Sequence, residues 1–159
     1  MAQATITDQA NLPMTAVGLQ AMQSGTSVLT LDGELPVEFL SVGDRILTRN
    51  GARRLRQIEV TVIQNARMVR ISKDALGVGR PCGDVMLSAD QQILIRDWRA
   101  KALYGSAQAM VPASRLADGE YIRSEIIREV RLYTLGFHDD AVIYAGGLEL
   151  ACGKVTVEA

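Results

Sequence analysis

Two dipeptides, Asp32-Gly33 and Asn50-Gly51, each interrupt a pair of short apolar runs and restrict the chain to tightly reversing strands. The stretch "TSVLTLDGELPVEFL" alternates through Val28, Leu29 and Leu31 before the first dipeptide, and "GDRILTRNGARRLRQIEVTVI" repeats the device around the second. Such dipeptides tolerate the positive φ of a two-residue hairpin turn, so each predicts two antiparallel strands joined directly. For Asn50-Gly51 the expectation is a type I′ turn with both residues at its centre. Strand-length segments follow at 68–72, 84–88, 92–96, 108–112, 120–123, 127–135 and 141–145, separated by Gly, Pro and Asp. This pattern predicts an all-β chain of short strands. Helix is expected only at 35–41, at 112–117, where a proline suits a first turn, and as one turn within 97–107.

A length of 159 residues with 48% hydrophobic content supports one domain with a single core. Residues 1–20 are small and polar, contain Pro13 and show no periodicity, so they are expected to form a flexible lead-in, with the folded domain at 21–153 and a tail at 154–159. Seventeen Lys and Arg against 18 Asp and Glu leave a formal charge of -1, which argues against a global field for nucleic acid or anionic membrane. Two cysteines, Cys82 and Cys152, are too few for a disulfide framework or a zinc site. No basic segment precedes an apolar stretch at the N-terminus, and no apolar run approaches the roughly 18 residues of a membrane span. A soluble, cytoplasmic protein is expected, with a secretion route that reads a C-terminal signal as the alternative.

Several clusters invite a functional reading. Arg96, Arg99 and Lys101 beside Trp98 and Tyr104 mix cations and aromatics as a single-strand nucleic-acid clamp would, but Asp97 interrupts the charge and a solvated edge explains the set. Arg53, Arg54 and Arg56 suit an exposed strand protected against edge pairing. Gly77, Gly79 and Gly83 lack the order of a dinucleotide or phosphate loop, so no cofactor is expected. His138, Asp139 and Asp140 have the donor types of a divalent-cation site, yet adjacent acids at a turn are ordinarily solvated, and no metal is expected. Cys82 lies in a Pro-Cys-Gly turn with no base identifiable beside it.

Four segments together, "GTSVLTLDGELPVEFLSVGDRILTRNG" (25–51), "VRISKDALGVGRPCGDVMLSADQQILI" (69–95), "VPASRLADGEYIR" (111–123) and "VIYAGGLE" (142–149), closely resemble a bacterial branch of the Hint family, the module shared by Hedgehog proteins and inteins. The resemblance implies a flat horseshoe of short strands in two pseudo-symmetric halves. It also implies acyl transfer within the chain, in which a cysteine at the start of the module attacks the preceding carbonyl and converts a peptide bond into a thioester. That cysteine stands four residues before the Gly-Thr pair, a position filled here by Ala21. A histidine three residues after a Thr or Ser protonates the departing nitrogen. Ser88 matches the hydroxyl, and the histidine position holds Gln91, whose amide can donate hydrogen bonds but carries no titratable proton near neutral pH. A further histidine before the "VIYA" strand falls at Asp140, or within two residues of it, a window that includes His138.

The turn and strand residues of the resemblance thus remain while the groups that do chemistry are replaced. The expectation is a degenerate Hint domain that neither cleaves nor splices, with a protein partner, no membrane and no nucleic acid. The alternative is an autoprocessing protein that cuts its backbone near residues 20–24, with Ser24 as the nucleophile. Oligomeric state has no signature in the sequence.

Overall fold

The computed structural model describes residues 19–155. Its strands are β1 (Met22–Gln23), β2 (Ser27–Thr30), β3 (Gly33–Pro36), β4 (Arg45–Thr48), β5 (Gly51–Arg54), β6 (Gln57–Ile71), β7 (Val85–Ser88), β8 (Gln92–Ile95), β9 (Ala109–Pro112), β10 (Ile122–Gly136), β11 (Ala141–Ala145) and β12 (Leu148–Cys152). The expected all-β class is observed. Helix is limited to α1 (Trp98–Tyr104) and 3-10 turns at Val37–Phe39 and Ala113–Leu116, which fall within the three segments read as helical. Asp97 starts α1 by accepting the Arg99 N–H, and Gly105 ends it at φ 69.

The two early hairpins form, with one correction. Thr30 pairs with Gly33 and Thr48 with Gly51, so the two-residue loops are Leu31-Asp32 and Arg49-Asn50. Gly33 and Gly51 alone take positive φ, at 104° and 94°, and each opens the returning strand rather than sitting inside the turn. This fits a type I turn followed by a glycine bulge, not the type I′ turn expected for Asn50-Gly51. A threonine tightens both loops in the same way. The Thr30 hydroxyl donates to the Gly33 carbonyl at 2.8 Å and accepts the Asp32 N–H, and Thr48 does the same with Gly51 and Asn50.

β1, β10, β6 and β7 close on one another as a small barrel, and the remaining strands form a sheet in the order β3-β2-β4-β11-β12-β8-β9, with β5 on β4. The segments 68–72, 120–123 and 127–135 are parts of two 15-residue strands rather than separate short ones. β6 and β10 pair in a single register from Gln57↔Gly136 to Ile71↔Ile122. Between Ala66↔Ile127 and Gln64↔Glu129 the ladder skips Asn65, which sits at φ 53 in the region asparagine enters most readily. Because half of this ribbon is exposed, its sequence lacks the clean alternation that marks a strand.

The main core gathers Val28, Ile46, Leu87, Ile93, Ile143, Leu148 and Leu150 among others, and a second cluster on the barrel strands and the residue before them joins Ala21, Ile63, Met68, Met86, Val130 and Leu132. Of the expected lead-in, residues 1–18 lie outside the described residues, while Leu19 packs on the second cluster. Of the expected tail, 156–159 lie outside them, and Lys154 bridges to Phe137.

Candidate functional site

Three of the five positions singled out for self-cleavage meet at the mouth of the barrel. Ala21, entering β1, is fully buried. Its N–H donates to the Ser88 hydroxyl at 3.2 Å, that hydroxyl donates to the Leu19 carbonyl at 2.7 Å, and the Ser88 N–H donates to the Ala21 carbonyl at 3.0 Å. Ser88, at the end of β7, therefore clamps the chain on both sides of residue 20. The turn after β7 brings in Gln91, which is 1% exposed. Its amide nitrogen lies at 3.1 Å from Gln20 Oε1, 3.0 Å from the Gln92 carbonyl and 2.9 Å from the Ala151 carbonyl of β12. Gln20 completes the knot by accepting the Gln92 N–H at 2.9 Å and donating to the Asp90 carbonyl at 3.0 Å.

The other two positions are not hydrogen-bonded into this knot. Asp140 accepts the Lys154 N–H at 3.1 Å and lines an open cavity of about 460 Å³ with Gln20, Arg49, Gln92, Met110 and Cys152. Ser24 follows β1, with its N–H on the Arg131 carbonyl, and lines a different cavity beside Cys82 and Asp84. Both cysteines are free. Cys82 is exposed, whereas burial pushes the Cys152 thiol up to about 12, so it stays protonated and inert. His138, Asp139 and Asp140 share a smaller cavity of about 220 Å³ with Arg53, Arg54 and Arg56. Among the described residues no three His, Cys, Asp or Glu side chains group closely enough to hold a metal.

Of the cation and aromatic set around α1, Arg99 is paired within the chain, while Trp98 and Tyr104 stay exposed. Arg99 lies 4.8 Å over the Trp98 ring and pairs with Asp97, and Arg115 stacks 6.0 Å over Tyr104. Arg96 belongs to a feature that sequence reasoning missed. It converges with Arg49 and Arg80 on the Glu149 carboxylate of β12, whose side chain is only 4% exposed. Arg49 meets Oε1 at 2.7 Å, Arg80 meets Oε2 at 3.4 Å, and Arg96 shares Oε2. Gly146 and Gly147 make this possible. A Cβ on Gly147 would stand 2.5 Å from the Gly79 carbonyl and 2.9 Å from the Cys82 nitrogen, so only glycine lets the 79–82 loop carry Arg80 against the β11–β12 turn. The available signal was one acid between Leu148 and Leu150 in an apolar strand, a place where a buried charge needs partners.

A closed four-stranded β barrel beside a second sheet, with residues 19–21 hydrogen-bonded to the end of β7 and the turn after it, is a fold shared with solved intein-type domains. The bacterial intein-like domain from Clostridium thermocellum shares it at a TM-score of 0.64, with 16% identity over 86% of this chain and all of that one. The AceL NrdHF class 3 split intein, in a splice-inactive variant, matches at 0.58, with 12% identity over 87% of this chain and 100% of that one. The Msm DnaB1 intein splicing domain, solved with zinc bound, matches at 0.57, with 14% identity over 83% of this chain and 99% of that one. At these identities the likeness establishes the fold alone. The family itself is established by sequence: residues 20–151 match the model of the Hint domain, and the chain belongs to that family. No curated protein matches the sequence significantly. Among the described residues no helix is long and apolar enough to cross a membrane.

Proposed function

We propose that this chain is a Hint domain that no longer breaks its own backbone and serves as a binding or structural module with a protein partner. One observation carries the reading: a buried methyl and a carboxamide stand where the resemblance asks for a nucleophile and an acid. For an acyl shift at this bond, a thiolate would attack the Gln20 carbonyl carbon, the bond to the Ala21 nitrogen would break, and that nitrogen would take a proton. Ala21 has no attacking atom. Gln91 donates its amide protons to Gln20, Gln92 and Ala151 and has none to give away near neutral pH. The same contacts that would hold a scissile bond here hold the lead-in, so we read the site as a grip. Ser24 is the weaker alternative: its hydroxyl has no hydrogen-bond partner among the described residues, and so no base to activate it.

The test is restoration. The natural protein incubated with excess thiol or hydroxylamine is expected to keep its full-length mass, and Ala21→Cys with Gln91→His is expected to release two fragments cut between residues 20 and 21. Nucleophile and acid act on one step, so either change alone should give far less than the pair. Mass spectrometry reads the outcome. Fragments from the natural protein would overturn the silent reading, and cleavage by Ala21→Cys alone would show that position 91 is not the missing acid.

A further inference from the structure

The Glu149 cluster holds more positive charge than it neutralises. Within the cluster itself three guanidiniums face one carboxylate, an excess of two positive charges, and Asp140 is the acid that lines the open cavity together with Arg49. The arginine side chains remain 35%, 24% and 45% exposed for Arg49, Arg80 and Arg96, so their outer edges reach solvent while Glu149 holds their inner edges. Arg80 spends a second nitrogen on the Leu94 carbonyl at 3.2 Å. Arg49 and Arg96 spend one nitrogen each on Glu149, and their other N–H groups have no side-chain or backbone partner among the described residues. Arg49 also lines the 460 Å³ cavity, whose other walls include Asn50, Gln92, Met110, Val142 and Asp140.

We infer that this arginine cluster is an anion site whose ligand is a phosphate monoester, with an uncharged or cationic remainder lying in the adjoining cavity. Fixed guanidinium forks match phosphate oxygens in pairs, and Glu149 pre-orients them before any ligand arrives. A phosphate monoester carries about -1.5 to -2 near neutral pH, which matches the unbalanced charge, whereas a lone carboxylate would leave one positive charge over. Asp140 sets the limit on the remainder, since a second negative group in the cavity would face its carboxylate. The inference stands independently of whether the chain cleaves itself.

Phosphoethanolamine and 3-phosphoglycerate are the probes, titrated into the full chain at low salt while backbone amide resonances are followed by NMR. Saturable shifts at Asn50, Gln92 and Arg96 are expected with phosphoethanolamine, and binding at least about tenfold weaker is expected with 3-phosphoglycerate, whose carboxylate would meet Asp140. Arg96→Gln should weaken phosphoethanolamine about tenfold, because it removes one charged donor while Arg49 and Arg80 still hold Glu149. Arg49→Lys, which keeps the charge but loses the fork, should weaken it too, and Arg128→Gln, an exposed arginine on β10, should not. No saturable shift with phosphoethanolamine, or equal losses from Arg96→Gln and Arg128→Gln, would overturn the site. Equal binding of the two probes would overturn the assignment of the cavity to the ligand's remainder.

Discussion

Two polar knots tie distant segments of this molecule together, and they do it by opposite means. At the barrel mouth, Gln20, Ala21, Ser88 and Gln91 join residues some 70 apart using amides and a hydroxyl alone. On the neighbouring sheet, Glu149 joins Arg49, Arg80 and Arg96 across separations of 100, 69 and 53 residues using four full charges. The neutral knot needs no counter-ion and has nothing to titrate, so each lost contact costs little more than a hydrogen bond. The charged knot is a cooperative object: its buried carboxylate is tolerable only while guanidiniums surround it, and they are held close only while it is ionised. The difference teaches that the positions matching the family's catalytic ones are joined by neutral hydrogen bonds, while a buried charge cluster lies on the neighbouring sheet.

The largest effect should come from breaking the charged knot. Glu149→Gln keeps the shape but leaves three guanidiniums converging on a neutral group, and a loss of about 3 kcal/mol is expected, at the lower end for buried pairs because the arginines are partly solvated. Urea denaturation measures it. A loss under half of that would show that the arginines relax into solvent and that the knot contributes little.

Gln91→Ala tests the neutral knot and should cost about 2 kcal/mol, since it removes a buried side chain together with its hydrogen bonds to Gln20, Gln92 and the Ala151 carbonyl. The same variant should speed hydrogen exchange at the Gln92 amide, which rests on Gln20 Oε1. Exchange unchanged at Gln92 would mean that Gln20 stays in place without Gln91, and that the two glutamines are not a unit.

The smallest expected effect sharpens the contrast through pH. With nothing titratable in the neutral knot, acid must act first on carboxylates that fold with a lowered pKa. Asp118 is one, held down chiefly by the N–H groups of Ile122 and Glu120 at the start of β10, and Glu125 is another, held down by its bond to Arg70. For both, the stabilisation is fully present above the ordinary carboxylate range near pH 4 and is lost as pH falls through the lowered folded values. Asp118→Asn should therefore lower stability modestly at pH 7, where the ionised carboxylate contributes, and flatten the profile below about pH 4, where the difference from the natural protein closes. A profile that keeps its slope would assign the acid response to other groups.

Local chemistry was legible where the chain talks to its near neighbours. Asp32-Gly33 and Asn50-Gly51 marked both early hairpins, and the shift of each turn by one residue traces to the preceding threonine, whose hydroxyl closes the loop from outside the dipeptide. The turn expected within 97–107 formed as α1, bounded in the structure by Asp97 and Gly105. The long ribbon of β6 and β10 was legible only in fragments, because its exposed half carries no alternation to read.

At the barrel mouth, the sequence by itself determined which side chains would stand at positions 21, 88 and 91, through a resemblance carried by ordered motifs. Tertiary structure alone decided that Gln20 would enter the knot, since its partners Asp90, Gln91 and Gln92 are brought to it by the closing of β1 against β7. It alone decided, too, that Arg49, Arg80 and Arg96 would share one carboxylate. Turns are set by hydrogen bonds within a few residues and so leave a local mark, whereas the desolvation that makes Glu149 demand partners arises only once the sheet has closed over it.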